Sequence, residues 1–163
     1  MKLQIENFID GKFITPSNGT YLDNYNPATG EVITKIPNSD NEDVELAVKA
    51  AQKALPSWAD LPRIKRVEWL RKIAKALELR KGDIAVTESM DTGKPISLAK
   101  RVDASRSIAN FEFFAEHAEK LVDEEYEMTD AINYVVRKPV GVVGLITPWN
   151  LPCLLYTSPS PRD

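Results

Sequence analysis

The stretch GVVGLIT at residues 141–147 carries apolar or small side chains at odd and even positions alike. Successive side chains of a strand point to opposite faces, so a strand with no polar alternation must be covered on both. Strands of that kind belong to parallel sheets flanked by helices. The chain is therefore expected to be α/β, with a buried strand over Val142–Ile146. Open α/β sheets bind ligands beyond the carboxyl ends of their strands, which here is the loop Thr147-Pro148-Trp149-Asn150. The Asn150 side chain offers two neutral N–H donors that can be aimed at an oxygen gaining negative charge. A turn ahead of Leu151-Pro152 explains the same asparagine, and is the commoner role for a lone one.

Upstream, the pattern changes twice. Asp10-Gly11 separates two short apolar runs within residues 5–14 and predicts a tight hairpin. A second hairpin is expected from TYLDNYNP and EVITKIP, turning at Asn26-Pro27 and Thr29-Gly30. Helices follow. Ser39 and Glu42 fit a capping box ahead of a helix over 41–55, with Val44, Ala47, Val48, Ala51 and Leu55 on one face. Pro62 opens a second helix with a stripe of Ile64, Val67, Leu70, Ala74 and Leu77, for which Gly82 would be the stop. A third helix over 83–91 ends at Thr92-Gly93-Lys94-Pro95. The spacing then predicts one long helix over 95–121, buried along Ala99, Val102, Arg106, Ala109 and Phe113. Arg106 is the one charge in that stripe, and is expected either to snorkel to solvent or to pair with a neighbour such as Asp103, one turn earlier. After a polar, acidic stretch, NYVVRKPVG turns extended again. His117 is expected to be solvated, Trp58 and Trp69 to be core or helix-packing residues, and Gly141 and Gly144 to serve close packing.

Composition excludes several classes. The net charge of −3 leaves no basic footprint for nucleic acid. No apolar run is long enough to span a bilayer, and the N-terminus has no secretory apolar region, so no membrane association and a cytoplasmic location are expected. One cysteine leaves no internal disulfide, and one histidine argues against a zinc site, so no metal is expected.

Five segments occur together in a recognisable order: NFIDGKF, YNPATGEVITKIPNS, AVKAAQKALPSWADL, the D-x-G-K-P turn at Asp91–Pro95, and VVRKPVGVVGLITPWNLP. Across residues 5–152 the chain resembles the NAD(P)-dependent aldehyde dehydrogenase superfamily, and within it the 2-aminomuconate and 2-hydroxymuconate semialdehyde dehydrogenase group. The resemblance implies the N-terminal part of that fold: antiparallel strands, several helices and the first strand of a Rossmann-like parallel sheet. Residues 1–152 would be an incomplete N-terminal portion of the cofactor-binding domain with its oligomerisation strands.

The resemblance also implies a chemistry, in which a cysteine thiolate attacks an aldehyde and hydride passes to NAD or NADP. A glutamate-activated water then releases the acid. Asn150 would donate to the oxyanion, and Ile146, Thr147, Pro148 and Trp149 would approach the cofactor. The helix carrying Arg106 borders the substrate tunnel in such enzymes, so Arg106 would bind the far carboxylate of a muconic semialdehyde. The implied partners are a small-molecule aldehyde and further copies in a homo-oligomer. The family's nucleophile, general base, cofactor-ribose pair and glycine-rich turn lie downstream of PWN, and Cys153 has no flanking family motif, so the chain by itself is expected to be inactive. Residues 153–163, CLLYTSPSPRD, end in the low-complexity TSPSPRD, which has no hydrophobic content to pack, and their back-translation resembles a transposase adapter from sequencing libraries. They are expected to be a translated adapter and disordered. The alternative is a short, non-catalytic assembly or binding module.

Overall fold

The computed structural model describes residues 4–148. Its first elements are β1 (Asn7–Ile9) and β2 (Lys12–Ile14), paired antiparallel with Ile9 opposite Lys12. Asp10 and Gly11 both take positive φ, 50° and 76°, as a two-residue primed turn requires. β3 (Tyr21–Tyr25) and β4 (Val32–Pro37) form the second expected hairpin. The Asn26 side chain accepts from the Ala28 N–H, and Gly30 closes the turn at φ 73°. The chain ahead of β1 lies along β4, where the Ile5 N–H donates to Lys35 O at 2.8 Å.

α1 (Asn41–Ala59) starts where expected, but its capping box sits one residue further along. Asp40 is the N-cap, accepting from the Glu42 N–H, and Asp43 reaches back to the Asp40 N–H. Ser39 donates instead to Asn7 on β1. The expected apolar face of α1 is largely uncovered: Val44, Ala47 and Ala51 are exposed, and the helix's one fully buried residue is Asp43.

α2 (Arg63–Leu79) follows Pro62 and buries Val67 and Ala74 from its expected stripe. Gly82 is not its stop. α2 ends at Leu79, and Gly82 lies in the first turn of α3 (Lys81–Thr92). The chain turns there with no left-handed residue, because Arg80 ends one helix and precedes the next with φ −109°. α3 does end as the sequence indicates, on Gly93 at φ 73°.

The long helix expected over 95–121 is a continuous helical path in three parts. These are α4 (Ile96–Leu98), a π-helical turn over Ala99–Ala104, and α5 (Ser105–Lys120). The π turn takes up an extra residue, and the inward face beyond it advances by one. Of the expected stripe, Ala99 is buried, but Arg106, Ala109 and Phe113 are exposed. Asp103, Ser107 and Ile108 take the inward positions. α5 packs most extensively on α2, where Arg71 and Glu119 form an ion pair. Trp58 and Trp69 remain about half exposed rather than enclosed between helices, Trp69 lying under the Lys72 ammonium. His117 is exposed, as expected, and stacks on Phe113.

β5 (Glu124–Glu127) and β6 (Ile132–Val135) close the described fold as a third antiparallel hairpin. The apolar run that predicts a buried parallel strand forms none. Residues 136–148 belong to no strand, and Val143, Leu145 and Ile146 are exposed. A parallel strand exists only through its neighbours, and the described strands all pair within antiparallel hairpins.

The core among the described residues is thin and built of small side chains. Its buried apolar members are Val67, Ile108 and five alanines, at 74, 85, 99, 104 and 115. Alanines let helices approach closely but remove little apolar area from water.

Candidate functional site

The expected catalytic loop divides at the limit of the described residues. Asn150 and Trp149 lie outside them, as does Cys153. Ile146, Thr147 and Pro148 close the irregular segment, with Ile146 fully exposed at 101%. Their backbone groups belong to no ladder. Arg106 stands exposed in the first turn of α5. It does not have Asp103 as its partner: that carboxylate faces inward and accepts from Lys94 Nζ at 2.8 Å.

Lys94 is the centre of the most enclosed charged cluster among the described residues. Its ammonium also donates to Glu88 at 2.9 Å. The two carboxylate side chains are 4% and 3% exposed and the lysine 20%. Burial opposes charge on the lysine, but the hydrogen bonds to Asp103 and Glu88 and their negative charges outweigh it, raising the ammonium above its ordinary 10.5. Three elements supply the cluster: α3 brings Glu88, the turn after it Lys94, and the π turn Asp103. Local geometry fixes each arm. Gly93 turns the chain so that Lys94 folds back over α3, and Ser89 Oγ donates to the Lys94 carbonyl. Across the π turn, Ser107 Oγ donates to Asp103 O and Ser105 Oγ to Lys100 O, each at 2.9 Å.

The sequence reading missed this cluster although its residues carried a signal. Glu88 occupies an inward position of α3, four residues after Ile84, and a charge there calls for a partner. Lys94 lies in the D-x-G-K-P turn already singled out.

A second charged site ties the loop before β3 to α1. Ser17 donates both its N–H and its hydroxyl to Asp43 Oδ1 at 2.9 Å. Burial pushes the Asp43 carboxyl up, but bonds from the Ser17 N–H and hydroxyl, the Asp40 N–H and Ser39 prevail and hold it below its ordinary 3.8.

An open groove of about 850 Å³ runs between the β3–β4 hairpin and helices α2 and α3. Its wall is apolar at Ile36, Ile73, Leu77 and Ile84, and polar at Asn24 and Asp91. Asn24 Nδ2 donates to Asp91 Oδ1 at 2.7 Å, so the hairpin is tied to the end of α3 at that rim. Among the described residues no group of histidine, cysteine or carboxylate side chains could hold a metal ion, and no helix is long and apolar enough to cross a membrane.

The sequence profile described as the aldehyde dehydrogenase family matches residues 13–160. The 2-aminomuconic semialdehyde dehydrogenase of Homo sapiens is 45% identical over 157 residues, covering 95% of this chain and 32% of that protein. The 2-hydroxymuconic semialdehyde dehydrogenase of Pseudomonas sp. (strain CF600) is 39% identical over 160 residues, covering 94% and 33%. The solved structure of PnpE in complex with nicotinamide adenine dinucleotide superposes with a TM-score of 0.89 at 36% identity, covering 94% of this chain and 32% of that one. The chain thus spans about a third of the length of the relatives it matches. With a profile that matches most of its residues and a fold shared with a solved relative, the chain belongs to the aldehyde dehydrogenase family.

Proposed function

We propose that this chain is the N-terminal third of an NAD(P)-dependent aldehyde dehydrogenase that oxidises a muconic-type semialdehyde to the carboxylate. The observation that carries the reading is the 45% identity, sustained over 95% of the chain, to a protein named 2-aminomuconic semialdehyde dehydrogenase. A bound nicotinamide cofactor supplies the hydride acceptor. The residues here fit one part of its site. The backbone of Ile146, Thr147 and Pro148 lies outside any ladder, so on this reading it would meet the cofactor together with Trp149.

Asn150 then holds its side-chain N–H against the substrate oxygen as charge builds on it. A preorganised neutral donor there stabilises the transition state more than the ground state, and loss of one such donor costs about 10²–10³ in turnover. Arg106 binds the carboxylate at the other end of the substrate through its planar fork of donors. The parent is a cytoplasmic homo-oligomer, and this chain alone is inactive because the nucleophile and general base come from later residues.

The test is activity of the full-length enzyme on a muconic semialdehyde with NAD and with NADP. Oxidation of the acidic aldehyde in preference to an uncharged aldehyde of equal length supports the reading. A full-length enzyme indifferent to the distal carboxylate contradicts the substrate class. A genomic reading frame that stops after Asp163 contradicts the enzyme and leaves the assembly module.

A further inference from the structure

Resting on that reading of Arg106, we infer that the buried Lys94–Glu88–Asp103 triad is a positioning device. By pinning the π turn, it sets the rotation of α5 that presents Arg106 to the far carboxylate of an acidic aldehyde.

A π turn is a rare departure within a helix, usually a single turn, and often marks a functional site. Such a conformation persists where its surroundings over-determine it. Here the surroundings are explicit. Asp103 sits inside the turn with its carboxylate on Lys94, and Lys94 is held from the other side by Glu88 of α3. The hydroxyls of Ser105 and Ser107 occupy the carbonyls of Lys100 and Asp103 in the widened stretch.

Rotation is the consequence that matters. Helical spacing from Ala99 directs positions 102, 106, 109 and 113 inward. From Asp103 inside the π turn onward, 103 and 107 are buried instead and 110 and 114 are half-buried. Without the extra residue, Arg106 would enter the space Ser107 now fills, and Asp103 would face it as an i,i+3 partner. The turn therefore frees the guanidinium from the core and from its nearest carboxylate.

Stability is a poor explanation for the triad. Apolar side chains of the same volume often stabilise a core as well as a buried ion pair does, or better. The best-attested use of buried charge is to fix register. Fixing the register of α5 is the effect seen here. Asp103, Lys94 and Glu88 are on this account positioning residues that act through Arg106.

The experiment uses the full-length enzyme with Asp103→Asn, Arg106→Ala and the double variant. Each is assayed on an acidic semialdehyde and on an uncharged aldehyde of equal length. Asp103→Asn is expected to raise KM for the acidic aldehyde about tenfold or more, the worth of a bond to a charged group. Its kcat, and its KM for the uncharged aldehyde, should stay within about twofold. In the Arg106→Ala background the effect of Asp103→Asn on the acidic aldehyde should vanish. Equal losses on both aldehydes, or effects that multiply in the double variant, overturn the inference.

If Arg106→Ala alone leaves KM for the acidic aldehyde unchanged, the carboxylate reading has failed. Amide exchange then judges the positioning claim separately. Exchange over residues 99–108 should be at least about tenfold faster in Asp103→Asn and unaltered in Arg106→Ala, and no change in Asp103→Asn overturns the claim. Should Asp103→Asn not fold, Asp103→Glu keeps the charge on a longer arm and must show the same selective rise in KM.

Discussion

Single residues fix the start of α1. Asp40 caps the helix and Asp43 answers it, while Ser17 binds Asp43 from the preceding loop. Replacing Asp40 by alanine removes the cap and is expected to cost about 1 kcal/mol, read as lost exchange protection in α1 of the full-length enzyme. Asp43 gives a pH dependence. Its folded carboxyl lies below the ordinary 3.8, so its contribution is present above that value and is lost as pH falls through the lower, folded one. Acid should therefore loosen α1 from the Ser17 loop, and Asp43→Asn should remove that dependence. Lys94 has the opposite sign: raised above 10.5, it stabilises fully below that pH, and its contribution fades only as alkali passes the folded value. Protection at the turn after α3 should accordingly hold through neutral pH and fall only in strong alkali. Persistence of that protection well beyond the ordinary lysine range in Lys94→Met would show that the ammonium contributes nothing.

At the scale of elements, Gly93 joins two of them. Its left-handed φ ends α3, and a Cβ there would stand 3.0 Å from Pro27 Cγ in the β3–β4 turn. Gly93→Ala combines that backbone penalty with a close contact. It is expected to cost about 1–2 kcal/mol, seen as faster exchange in the last turn of α3. Gly93 was legible in the sequence because its neighbours admitted no other role. The same holds for Asp10-Gly11 and for Asn26 to Gly30, where turn chemistry is local and dictates the conformation. Gly82 was misread because a glycine also fits the first turn of a helix. The shift in α5 was not legible. One inserted residue changes which side chains face inward, but apolar and small residues stand at both sets of positions, so periodicity alone does not choose between Arg106 and Ser107. The choice is made by Lys94, a partner outside the helix. The buried strand over Val142–Ile146 failed for a related reason: its apolar pattern was read correctly, but a strand needs neighbours that the described residues do not provide.

For the whole molecule, the imbalance between core and surface decides behaviour. Buried apolar side chains are mostly alanines, whereas Leu79, Val140 and Ile146 are at least 80% exposed. Apolar surface on this scale marks contacts to be made with other protein, or aggregation. Expressed alone, the chain is expected to aggregate or to melt without a cooperative transition in calorimetry. A monodisperse monomer with one sharp transition would contradict that. Family membership was readable from five separated segments, four of which fall on a hairpin or a helix end of the described fold. The loop expected to carry the chemistry reaches the limit of the described residues at Pro148, and Trp149 and Asn150 lie outside them.

The central claim is that this chain is the beginning of a longer dehydrogenase, and the source DNA tests it most directly. A primer within the codons for Thr147–Asn150 allows the downstream frame to be read. The account predicts that the frame continues past Pro152 into a glycine-rich turn, a glutamate and a cysteine, in that order. Genomic DNA that encodes CLLYTSPSPRD followed by a stop codon would contradict it.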